Sequence, residues 1–204
     1  MKRLPNGMLT LAILLATIPF STARAETSIS KSYKYFSIGG RTAEELDREL
    51  AAHGPKAKGV KGRHPGLTEI KFGGSVTYVS NENGCEVSRV KVTLSTAIIL
   101  PRWRNRSRAD KNLRLVWDTL AADIKRHEER HAEIARNHAR RLDKALQRLP
   151  RERTCDALKA KASAVTDKEI AAHDKDQERF DRVETINFEK RMIRLLNYRA
   201  KKYD

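Results

Sequence analysis

The sequence predicts an α+β fold, a small antiparallel sheet followed by a long helical hairpin. Three observations lead there. From Ser28 to about Leu100, glycines, prolines and asparagines break up short runs whose apolar residues alternate with polar ones. From Asp110 to Leu149 there is no Gly and no Pro, and Leu113, Trp117, Leu120, Ile124, Ile134, Leu142, Leu146 and Leu149 share one helical face. After a break between Pro150 and Cys155, Leu158, Val165, Phe180, Val183 and Met192 mark a second long helix, to about Tyr198.

In chain order, Tyr33, Tyr35 and Phe36 form an aromatic patch before Gly39-Gly40. Thr42 is the expected N-cap of a helix reaching about Ala52, with Glu45 in the capping-box position. Residues Gly54 to Gly59 form a Gly/Pro/Lys-rich loop. Val76 and Tyr78, then Val90, Val92 and Leu94, have the period of half-buried strands, and Asn81-Glu82-Asn83-Gly84 is a turn between them. Pro101 is expected to end this half.

The start of the chain reads as an export leader over residues 1–25. Lys2 and Arg3 precede an apolar run from Met8 to Phe20, and Ala23-Arg24-Ala25 offers a small-x-small cleavage site before Glu26. That run is well short of the roughly 20 residues a membrane-spanning helix needs. No other stretch is long enough, so no transmembrane segment is expected after cleavage. Residues 26–204 are then one domain in the periplasm or outside the cell.

The chain of 204 residues carries a formal charge of +16, which falls to +13 when Lys2, Arg3 and Arg24 leave with a leader that holds no acid. In the envelope, nucleic acid is not an expected partner. Anionic wall polymers or lipid are possible partners, although most of the cations lie among acids on helix faces and serve solubility. The only cysteines, Cys85 and Cys155, are expected to form a disulfide. Chain entropy puts such a closure of about 70 residues at roughly 4 kcal/mol.

His127-Glu128-Glu129-Arg130-His131 falls inside the first long helix. Residues four apart lie about 6 Å apart along the axis and on one side, so two imidazoles can converge on one Zn2+. The glutamate beside the first histidine can then take a proton from a metal-bound water. Both histidines fall on the apolar face with Leu120, Ile124 and Leu142, where an unpartnered imidazole is costly. His138 shares that face but lies about 10 Å further along the axis, so it is expected to be structural. A hairpin closed at Pro150 to Thr154 brings position 174 opposite His131 and 178 opposite His127, each to within one helical turn, a window that holds His173, Asp176 and Asp181. His173 is therefore the first choice for a third ligand, with Asp176 second and Asp181 further off the face.

The chain resembles a bacterial family of predicted secreted zinc-dependent proteases, also known as a domain of unknown function. The resemblance spans nearly all of residues 26–204. It rests on Tyr35-Phe36-Ser37-Ile38-Gly39-Gly40-Arg41-Thr42-Ala43-Glu44-Glu45-Leu46, on Cys85, and on Leu100-Pro101-Arg102-Trp103. Trp117, the His127 to His131 motif, Cys155 and Phe180-Asp181 complete it. It implies a zincin-like fold, zinc ligands at His127 and His131, and Glu128 as general base. Members carry a His-Gly shortly after the aromatic-Asp pair, whereas here Arg182 to Phe188 contains no histidine. His173, Asp181 or Glu184 then supplies the missing ligand, or the metal is held more weakly.

The expected function is that of an exported zinc metallopeptidase, a hydrolase acting on peptides or proteins of the envelope, with Glu128 catalytic and His127, His131 and His173 on the metal. A substrate strand is expected to pair with the sheet edge around Ser75 to Ser80. An amidase acting on wall peptides would share the site. The alternative from another class is a non-catalytic basic envelope protein binding anionic wall or lipid, with zinc absent or structural.

Overall fold

The computed structural model describes residues 26–57 and 62–203; the expected leader lies outside them. Three strands and three long helices follow one another as β1 (Glu26–Ile38), α1 (Ala43–His53), β2 (Leu67–Asn81), β3 (Gly84–Trp103), α2 (Lys111–Gln147) and α3 (Cys155–Tyr203). The class is α+β, as expected.

The sheet is mixed, not antiparallel, with strand order β1-β3-β2. β2 and β3 form the expected hairpin, from Asn81↔Gly84 to Leu67↔Ile99. β1 pairs with β3 in parallel, from Glu26↔Lys91 to Ile38↔Trp103. Two parallel strands need a long connection, and α1 and β2 supply it. Alternation along one strand carries no information on its neighbour's direction, so the sequence did not reveal this pair. Pro101 does not end the strand, because β3 runs on to Trp103. β2 has dropped out by Ile99, so a proline there costs no bond to β2.

Val90, Val92, Leu94, Ile98 and Leu100 of β3 are buried on one face, and α2 lies across it. Ala132, Ala135 and Ala139 carry only a methyl group each, which lets the helix backbone come close to the sheet. Asp110 caps α2 by accepting the Leu113 N–H at 2.9 Å. Thr42 caps α1 as expected, accepting the Glu45 N–H at 3.2 Å, but the Glu45 carboxylate takes the N–H of Arg41 instead of that of Thr42. Leu46 and Leu50 of α1 pack with Ile38, Trp103 and Trp117, closing one end of the core.

The Cys85–Cys155 disulfide is present. Beside it Cys85 and Glu152 exchange two backbone hydrogen bonds of 2.8 and 2.9 Å, so the connection between α2 and α3 is fastened to the start of β3. Gly84 sits at φ +115°, where a Cβ would meet the Glu152 carbonyl oxygen. α3 therefore starts from an anchor on the sheet, not from the end of α2. Gln177, not position 174, meets His131, and Asp181, not position 178, meets His127. The antiparallel hairpin is as expected, but its register is displaced by nearly one helical turn. No helix of the described residues is long and apolar enough to cross a membrane.

Candidate metal centre

His127 and His131 lie one turn apart on α2 and point at α3. Their Nε2 atoms are 3.0 Å apart. Asp181 of α3 brings Oδ1 to 2.9 Å from His131 Nε2 and 3.4 Å from His127 Nε2. These form the one group of three or more potential ligands found among the described residues. The donor set fits a zinc ion. Bonds of about 2.0–2.1 Å at tetrahedral angles place neighbouring ligand atoms about 3.3 Å apart, and two imidazoles with one carboxylate leave a fourth position free.

Phe180 stacks on the His127 ring at 5.0 Å and meets His131 edge-on at 5.1 Å, fixing both rings from the α3 side. Behind His127, Glu184 takes a hydrogen bond from Arg126 and pairs with Arg191 at 3.1 Å, and Arg191 also bonds both oxygens of buried Asp123 at 2.9 and 3.1 Å. This network ties α2 to α3 beside the centre. Glu184 is thus held by two arginines, with one oxygen 3.8 Å from His127 Nδ1.

Burial works against the Asp181 carboxylate, but hydrogen bonds from His127 and His131 outweigh it and hold the group well below the usual carboxylate range. For His131, burial disfavours the charged ring, yet Asp181 and Gln177 hydrogen bonds raise its affinity for a proton. Two imidazole nitrogens and one carboxylate oxygen this close can share either a proton or a cation, and the two compete for the same electron pairs.

Glu128 reaches the start of β2 and is only 6% exposed. The Thr68 hydroxyl lies 2.9 Å from its Oε2 and also 2.9 Å from its backbone carbonyl. A Cβ at Gly66 would stand 2.8 Å from Oε1 and 2.7 Å from Ile124 Cγ2, so the bare backbone there makes room for this carboxylate. Burial pushes the Glu128 carboxyl above the usual range; the Thr68 hydrogen bond and the nearby His131 and His127 act the other way. A carboxyl raised by burial beside two histidines suits proton transfer.

His173 is not brought into the ligand group. Its ring lies against Phe72 and His138, its Nδ1 is 2.9 Å from Asp174, and its Nε2 is 2.9 Å from Gln177 Nε2. The displaced register accounts for this: Gln177 lies where a residue near 174 was expected, against His131, and Asp181 lies one turn further along α3, where it reaches both histidines. Asp176, the second choice, faces His138 at 3.0 Å. His138 is 1% exposed and sits apart from the centre with Glu169 at 2.7 Å and Arg141 at 2.8 Å from Nδ1. Gln177, Thr68 and Gly66 went unnoticed in the sequence. The spacing His173, Gln177, Asp181 is a polar stripe of four-residue steps along α3, and it could have drawn attention to Gln177.

Residues 33–188 match the model of a family described as bacterial protein of unknown function, DUF922. No curated protein and no solved structure matches the chain.

Proposed function

The chain belongs to that bacterial family of unknown function, and we propose, from its own residues, that it is an exported zinc-dependent metallopeptidase. The observation that carries the reading is the convergence of His127 Nε2, His131 Nε2 and Asp181 Oδ1 within 4.8 Å of one another, next to a buried glutamate. His127, His131 and Asp181 would hold the ion. Zinc bound there would acidify a water toward pKa 7 and polarise a peptide carbonyl.

The chain's own residues would do the rest. Glu128, placed by Thr68 and Gly66, takes the proton of the attacking water and passes it to the leaving amine. Phe180 and the Glu184 network keep both imidazoles from turning away. Among the described residues β2 pairs with β3 alone, so its outer edge has no strand beside it there. An extended peptide can add there, with side chains over an apolar groove lined by Phe72, Val76, Tyr78, Leu146 and Ile170. The disulfide and the sequence of residues 1–25 support export.

The rival reading as a basic surface binder gains less support. Arg106, Arg126, Arg130, Arg141 and Arg151 are each paired with an acid. The test is Glu128→Gln assayed on a peptide library. It should keep its metal and lose hydrolysis, because the amide fills the space but takes no proton. Cleavage at the parent rate would end the peptidase reading.

A further inference from the structure

Resting on the reading of His131 as a metal ligand, we propose that Gln177 is the residue that positions it, and that His173 acts through Gln177 and not on the metal. The polarity of each contact carries the argument. Gln177 Nε2 lies 3.1 Å from the backbone carbonyl of His131, which can only accept. The amide NH2 is therefore at that end, and Oε1 is the atom 2.6 Å from His131 Nδ1. An amide oxygen cannot donate, so Nδ1 carries the proton. Its other nitrogen, Nε2, faces His127 Nε2 and Asp181 and is left to give its electron pair to a cation.

The same amide has a second N–H, and His173 Nε2 lies 2.9 Å from it. That nitrogen must accept, so the His173 proton sits on Nδ1 and goes to the Asp174 carboxylate at 2.9 Å. Asp174, His173, Gln177 and His131 thus form one ordered chain in which each link has one donor and one acceptor. Turning the amide over would set oxygen against the His131 carbonyl and NH2 against Nδ1–H, breaking both contacts. The His173 ring is itself wedged between Phe72 at 5.0 Å and His138 at 5.4 Å, so it is a fixed backstop for the amide. Gln177 grips the ring and the backbone of one residue at once, which removes the rotation by which His131 could leave the centre.

This is tested by zinc titration of the full mature chain, with imidazole NMR as a readout independent of metal. Gln177→Leu, which keeps the volume, should weaken zinc binding about 10–100-fold. His173→Phe, which keeps the ring packing, should cost less than Gln177→Leu. The parent should show a slowly exchanging His131 Nδ1–H resonance with and without zinc, and Gln177→Leu should lose it. Parent-like zinc affinity in a folded Gln177→Leu would overturn the proposal. So would a loss in His173→Phe as deep as that in His131→Ala, which would make His173 a ligand. If Gln177→Leu does not fold, the parent spectrum still decides, because no protected Nδ1–H would refute the clamp. A parent that binds no zinc but keeps that resonance would sink the metal reading and leave the clamp standing.

Discussion

α2 turns two groups of histidine toward α3, and they differ in what α3 sets beside them. His127 and His131 share one carboxylate between their Nε2 atoms, Asp181, with an aromatic ring behind them, while Glu184 stands 3.8 Å off on the Nδ1 side of His127. His138, two turns on, meets two carboxylates, Glu169 and Asp176, and a guanidinium, Arg141, that bonds Glu169 at 2.9 Å. Both ring nitrogens of His138 have partners, and the positive charge that the acids call for is already there. At His127 and His131 the nearest arginines are turned to Asp123 and Glu184. Histidine and acid on facing helices are therefore not enough for a metal centre; the centre also needs the local cation to be absent. By this criterion His138 is a structural network and the His127 motif is the candidate site.

The comparison can be broken by exchanging the effects of equivalent mutations. The largest contrast is in zinc binding: His131→Ala should lower affinity by orders of magnitude, and His138→Ala should leave it near that of the parent. Equal losses would erase the distinction between the two groups. The next contrast runs the other way. His138→Ala should cost about 3 kcal/mol of unfolding free energy, because it empties a fully buried site and removes the partner of Glu169 and Asp176. Chemical denaturation of the metal-free proteins measures it, and a cost below that of His131→Ala would contradict the assignment.

A smaller effect is expected at the sheet side of the centre. Gly66→Ala sets a methyl against Glu128 Oε1 and Ile124 Cγ2 and should cost about 1–3 kcal/mol. It should also reduce peptide hydrolysis while zinc stays bound, since α3 and both histidines are untouched. Unchanged hydrolysis would mean that Glu128 is not held in place by the start of β2. The smallest effect depends on pH in the metal-free protein. The Asp181 carboxyl is lowered on folding, so its contribution is present above its unfolded pKa and fades in acid. The His131 imidazole is raised, so its contribution is present below its unfolded pKa of about 6.5 and is lost as pH climbs through the folded value. The pair is thus worth most near pH 5, and Asp181→Asn should destabilise more there than at pH 8.5. With a side chain 54% exposed, the difference should stay within about 1 kcal/mol. The opposite pH trend would show that the pair is not an ion pair.

Much of this contrast was legible beforehand, and for a physical reason. The spacing of His127 and His131, the helix that carries them, the cap at Thr42 and the Cys85–Cys155 link are short-range or compositional facts. The two expectations the structure does not meet, an antiparallel sheet and a place for His173 beside His127 and His131, are long-range ones. Helical periodicity placed His173 and Asp181 on neighbouring faces, but which of them lies level with His131 depends on where α3 starts. That is set by Glu152 pairing with Cys85, a contact between chain segments far apart in sequence. Gln177 is partnered through a side-chain amide, for which sequence alone gives no orientation, and Gly66 matters only because Glu128 folds down onto it.

The metal content of the mature protein purified without chelator, measured for the parent and for Asp181→Ala, tests the centre most directly. Close to one zinc per chain is expected in the parent and a large loss in Asp181→Ala, with helicity unchanged. A parent without zinc, or an Asp181→Ala protein that holds it as tightly, would contradict the centre described here.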